Sequence, residues 1–77
     1  MDRELINQCI REAIREGLTR GTFRDVYIIN KLLKRGVFSI QVPEIFEQMI
    51  TDGLLTRPDE WDHAQYCVTD KWLTMYG

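Results

Sequence analysis

The sequence predicts one mostly α domain with a small β-hairpin: three helices, then the hairpin, then a short C-terminal helix. Three observations carry this reading. Apolar residues recur at helical spacing in three stretches, each closed by a glycine, at Gly17, Gly36 and Gly53. After Gly53 the pattern changes to two short β-favouring runs separated by a polar loop. The chain of 77 residues is too short for two ordinary domains, so residues 1–77 form a single one.

The first helix is expected over residues 2–16. Leu5, Ile6, Cys9, Ile10, Ala13 and Ile14 make one stripe of a 3.6-residue period. Asp2 is placed to cap its start and Gly17 to end it. On the polar side Arg3, Asn7, Arg11 and Arg15 form one row, and Glu4, Gln8, Glu12 and Glu16 the next. These rows read as a solvated face, with pairs such as Glu12 and Arg15 worth roughly 0.2–0.5 kcal/mol each.

The second helix is expected from an N-cap at Thr22, with Asp25 three residues on, to near Arg35. Its phase puts Val26, Ile29 and Leu33 on the core side, flanked by Leu32 and Phe23. Tyr27 and Ile28 then fall among Arg24, Lys31 and Arg35: either two apolar anchors inside a basic face that Lys34 extends, or side chains packed beneath the first or the C-terminal helix. The third helix begins between Ser39, a good N-cap, and Pro43, which suits a first turn because no backbone donor is needed there. Ile45, Phe46, Met49 and Ile50 form its apolar side; Glu44, Glu47, Gln48 and Thr51 form the other. Residues 54–57 and 64–68 read as the two strands, joined by a longer loop over 58–63 that carries Trp61. Thr69 caps the last helix, where Trp72, Leu73 and Tyr76 share a face; Trp72 and Tyr76 pack on the first helix, with a dimer seam as the alternative.

The segment ITDGLLTRPDEWDHAQYCVTDKW, residues 50–72, resembles the passage from third helix to wing in small bacterial and phage winged helix-turn-helix regulators. Those run from a helix ending at Gly-Leu-Leu, through a polar wing, to an aromatic strand residue and then Val-Thr-Asp-Lys. The matching residues are Gly53, Leu54, Leu55, Tyr66, Val68, Thr69, Asp70 and Lys71. The resemblance implies a winged helix, a fold whose members bind DNA, RNA or proteins. In duplex readers the third helix lies in the major groove and presents cations and amides. Here that face carries Glu44, Glu47, Gln48 and Thr51, and the wing sets Asp59, Glu60 and Asp62 against Arg57 alone. Phosphate neutralisation drives most non-specific DNA affinity, so this surface disfavours the usual docking.

Charge is polarised. The formal net charge is −2, but residues 1–38 hold eight basic and five acidic side chains, and residues 39–77 hold two and seven. Cys9 and Cys67 form no CxxC pair and no ligand cluster with His63, the single histidine. Cys9 sits on an apolar stripe and reads as a buried thiol. Asp59, Glu60, Asp62 and His63 crowd one loop, but their spacing matches no calcium or zinc motif. There is no Gly-rich nucleophile turn and no phosphate-cradling loop. The expectation is a protein that is not an enzyme and needs no cofactor and no metal. With no secretory signal and no apolar run long enough to span a bilayer, a cytoplasmic location and no membrane partner are expected.

The leading functional reading is a non-enzymatic interaction module that binds a protein partner. Its contacts would come from Glu44, Glu47, Gln48, Thr51 and Trp61, from Tyr27 and Ile28 on the second helix, or from both. By resemblance, such a module regulates or inhibits a nucleic-acid-handling complex. The alternative is a DNA-binding transcription regulator acting as a homodimer, touching phosphates through Arg11, Arg15, Arg20, Arg24, Lys31 and Arg35. A third reading makes the acidic wing a mimic of nucleic acid that occupies a basic groove.

Overall fold

The computed structural model describes residues 2–38 and 41–77 of the chain. Four helices and three short strands follow in the order α1 (Asp2–Arg15), β1 (Thr22–Arg24), α2 (Asp25–Lys34), α3 (Val42–Thr51), β2 (Leu55–Thr56), β3 (Gln65–Val68) and α4 (Asp70–Tyr76). The fold is mostly α with a small antiparallel sheet, as the patterning predicts. The capping roles expected of Ser39 and of the Asp2 side chain lie outside the described residues.

The first three helices stop in the same way. Gly17, Gly36 and Gly53 all take positive φ, between 75° and 76°. The next residue's amide then reaches back to a carbonyl one turn inside the helix: Leu18 to Ala13 at 3.0 Å, Val37 to Leu32 at 2.9 Å, Leu54 to Met49 at 2.8 Å. This termination needs a residue without a Cβ clash, and glycine is the residue that supplies it. These three helix ends are legible in the sequence.

β1 was not expected. Thr22 opens a strand and not a helix, and it pairs antiparallel with β3 in the register Thr22↔Cys67, Phe23↔Tyr66 and Arg24↔Gln65. β2 pairs on the other side of β3, Leu55↔Val68 and Thr56↔Cys67, so the predicted hairpin is two-thirds of a three-stranded sheet ordered β1-β3-β2. Extended geometry at Thr22–Arg24 drives Phe23 inward against Tyr66, ring centroids 6.1 Å apart, and Phe46, at 6.0 Å. A three-residue strand has no periodicity of its own, and its partner lies more than forty residues away.

The inward face of α2 also differs from the expected one. Ile28 and Leu32 are buried, while Val26 and Leu33, expected inside, are exposed. Ile28 is 0% exposed, which corrects its assignment as a contact residue: it belongs to the core. Tyr27 keeps its expected position at the surface, 40% exposed.

The polar rows of α1 are not solvated as a whole. Asn7 is buried, and its Oδ1 accepts a 2.8 Å hydrogen bond from the Trp72 indole, so α4 covers that row. In the neighbouring row Glu12 pairs with Arg35 and Glu16 with Lys31, joining α1 to α2 across the interface; the expected local pair of Glu12 with Arg15 gives way to this. Thr69 caps α4 as predicted: its Oγ1 accepts from the Trp72 amide and donates to the Gly53 carbonyl at 2.6 Å. Trp72 and the partly buried Tyr76 pack toward the core, whereas Leu73 faces outward. Among the described residues, no helix is long and apolar enough to cross a membrane.

Candidate interaction surface

α3 is seated by Val42, Ile45, Phe46 and Met49, all in the core. That orientation leaves Glu44, Glu47, Gln48 and Thr51 exposed on its far side. Arg57, just beyond β2, ties this face to the β2–β3 loop. Its guanidinium pairs with the Glu47 carboxylate, donates to the His63 carbonyl at 2.8 Å, and lies 5.1 Å from the centre of the Tyr66 ring. The loop's one cation is thus already engaged within the molecule.

The loop itself is folded around its acids. Asp59 Oδ1 accepts from the Trp61 amide at 2.9 Å. Asp62 accepts from the Ala64 amide at 3.1 Å and from Arg24 at 2.6 Å. The Ala64 amide and the Arg24 guanidinium together hold the Asp62 carboxyl below its ordinary value. Trp61 takes no part in this packing beyond its backbone and is 92% exposed, the most exposed large apolar side chain among the described residues.

Pairing redistributes the charge read from the sequence. Glu47, Asp52 and Asp62 are bound to Arg57, Arg3 and Arg24. Among the described residues, Glu44, Asp59 and Glu60 make no ion pair, so the acidic surface is narrower than the sequence suggests and lies beside Trp61 in the loop and at the start of α3. No group of three or more described histidine, cysteine or acidic side chains is arranged to hold a metal ion.

The six basic residues considered for phosphate contact do not form one face. Arg24, Lys31 and Arg35 are paired with Asp62, Glu16 and Glu12. Arg35 also donates to the buried Cys9 sulfur at 2.7 Å; burial pushes that thiol up, against the pull of Arg35. The Arg35 hydrogen bond in turn holds Glu12 below the usual carboxylate range. Arg11 and Arg15 line a separate depression of about 120 Å³ at the α1–α4 seam with Trp72 and Leu73; Arg11 Nε is buried without a hydrogen-bond partner among the described residues. Arg20 is exposed on the turn before β1.

A second surface lies on the outer side of α2. Leu18, Val26 and Tyr27, with Lys31, Lys34 and Arg35, line an open groove of about 470 Å³. The basic patch with an aromatic anchor is therefore present, but Val26 and Leu18 take the place assigned to Ile28. Leu18 lies in the connection after α1, where no helical phase applies, and Val26 faces outward because of how α2 docks on the core. Arg57 was also missed as a structural hub, although a lone cation in an acidic loop is itself a signal of internal pairing. Comparison of the chain with protein-family models, with curated proteins and with solved structures gives no match.

Proposed function

We propose that this chain is a non-enzymatic interaction module that docks on a protein partner through the exposed side of α3 and the β2–β3 loop, as a regulator or inhibitor of a nucleic-acid-handling complex. The observation that carries the reading is Trp61: an indole 92% exposed on a loop whose backbone is already ordered. An aromatic anchor on a preordered loop loses little freedom on binding, and such residues dominate interface energies. Beside it in the loop Asp59 and Glu60, and on the exposed side of α3 Glu44, favour a partner surface with cations, and Gln48 and Thr51 on that side of α3 add hydrogen-bonding groups.

The element order, with β1 between the first two helices and a loop after α3, supports the resemblance to winged helices. Within that family the duplex-reading role is disfavoured by the same surface, where Arg57 and Arg24 are engaged with Glu47 and Asp62. Two experiments test the proposal. In partner capture, Glu44→Lys and Trp61→Ala each reduce the retained protein severalfold; equal capture by both variants and the wild type removes this surface as the site. In anisotropy titrations a labelled mixed-sequence duplex stays unbound even at low salt. Binding that falls steeply with salt would instead return the chain to the phosphate-contact alternative, with Arg15, Arg20 and Lys34 as the first residues to change.

A further inference from the structure

We propose that the α2 groove receives the β2–β3 loop of a second copy of this chain, with Trp61 as the anchor, so that copies associate head to tail. This goes beyond the proposed function and shares with it the β2–β3 loop, Asp59, Glu60 and Trp61, but not the α3 face.

The groove has an apolar floor, Leu18, Val26 and Tyr27, that is left open: Val26 is 53% exposed on a helix whose other apolar residues include fully buried ones. Its volume of about 470 Å³ lies within the range of pockets that hold a compact organic group, roughly 300–1,000 Å³. The lining carries Lys31, Lys34 and Arg35 against Glu16 alone. Arg35 is paired with Glu12 of α1 and Lys31 with Glu16 just beyond it, which leaves Lys34 as the rim cation without an ion pair among the described residues. Two such grooves facing each other would bring like charges together, so a symmetric groove-to-groove contact is disfavoured. The occupant that fits is an apolar anchor flanked by carboxylates.

The chain itself presents that chemistry. Asp59, Glu60 and Trp61 are consecutive and exposed, and the two acids make no ion pair among the described residues. Trp61 does not fill the groove of its own molecule, since it is almost entirely exposed and does not line it. The Asp59 contact to the Trp61 amide and the Arg24–Asp62 pair hold the loop in shape before any docking, which lowers the ordering cost. A donor loop and a receptor groove at different places on one molecule make a heterologous contact, which propagates into open chains or closes into a ring.

Sedimentation equilibrium on the purified chain, from about 10 μM to about 1 mM, covers the range where a single anchor acts. The expected result is a mass that rises with concentration and returns toward the monomer as salt is added. Trp61→Ala lacks the anchor, and Val26→Glu/Lys34→Glu places acids in the groove; all three altered side chains are exposed, and each variant is first matched to the wild type by circular dichroism. Each variant alone is expected to stay monomeric. Mixed, they are expected to form a 1:1 complex that grows no further, because one supplies only a groove and the other only an anchor. A wild type that is monomeric throughout overturns the proposal and leaves the groove to an acidic segment of another protein. Association that survives Trp61→Ala, or a mixture that forms no complex, overturns it as well. Glu44→Lys, which alters only the α3 face, leaves the self-association unchanged, so this test and the partner-capture test fail independently.

Discussion

The two tryptophans of this chain have opposite surroundings. Trp72 is fully buried, its indole N–H donates to the buried Asn7 at 2.8 Å, and its ring lies 5.9 Å from that of Tyr76. Trp61 is held only through its backbone, with its ring in water. The same residue type therefore closes the core at one place and offers a contact at the other. The difference comes from what lies opposite: α1 presents a polar acceptor and an apolar stripe to Trp72, whereas nothing in the fold covers the tip of the β2–β3 loop among the described residues.

The largest effect expected from this contrast is on stability. Trp72→Ala removes a core ring and leaves Asn7 without its donor, at about 3–5 kcal/mol; Trp61→Ala changes stability by less than about 0.5 kcal/mol. Denaturant midpoints separate the two, and equal midpoint shifts would dissolve the comparison. Asn7→Ala isolates the polar part of the Trp72 environment. It strands the indole N–H at about 1–3 kcal/mol in the same unfolding measurement, and a midpoint equal to the wild type would mean that water replaces Asn7 there.

A smaller effect concerns pH. Glu12, chiefly through its hydrogen bond from Arg35, and Asp62, chiefly through the Ala64 amide, both titrate below their ordinary values. Their contribution is present above the unfolded carboxylate range and is lost as pH falls through the depressed folded values. Glu12→Gln is expected to show a shallower loss of stability on the acid side, read from denaturant midpoints across pH. At the alkaline end the sign reverses at Cys9. Burial raises its thiol, so the unfolded chain ionises first and stability declines as pH rises past the usual thiol value. The smallest effect is spectroscopic. Acrylamide quenches the emission of Trp61 and spares that of Trp72, so Trp61→Phe leaves a blue-shifted, weakly quenched signal; strong residual quenching would mean that α4 opens.

Much of the fold is legible in the residues because its determinants are local. The α1 stripe from Leu5 to Ile14, the three glycine stops and the Thr69 cap each act within a turn or two of chain, and all are present. The exposed side of α3 follows from its phase in the same way. Failures begin where a distant partner decides. Thr22 becomes a strand because β3 offers it a ladder, and α2, starting only at Asp25, docks with Ile28 inside and Val26 out. Of the candidate contact residues, Glu44, Gln48 and Thr51 keep their expected exposure, while Glu47 is tied to Arg57 through an interaction that only the folded chain creates.

Composition, periodicity and punctuation by themselves determined that these residues fold as mostly α, where the first three helices end and which side of α3 meets water, since these follow from backbone geometry and nearest neighbours along the chain. Tertiary structure alone decided the third strand, the inward face of α2, the pairing of half the cations with acids among the described residues, and the polar partner, Asn7, that the buried Trp72 finds. Those outcomes depend on groups brought together from far apart in sequence, and the free energy of such contacts has no local signature.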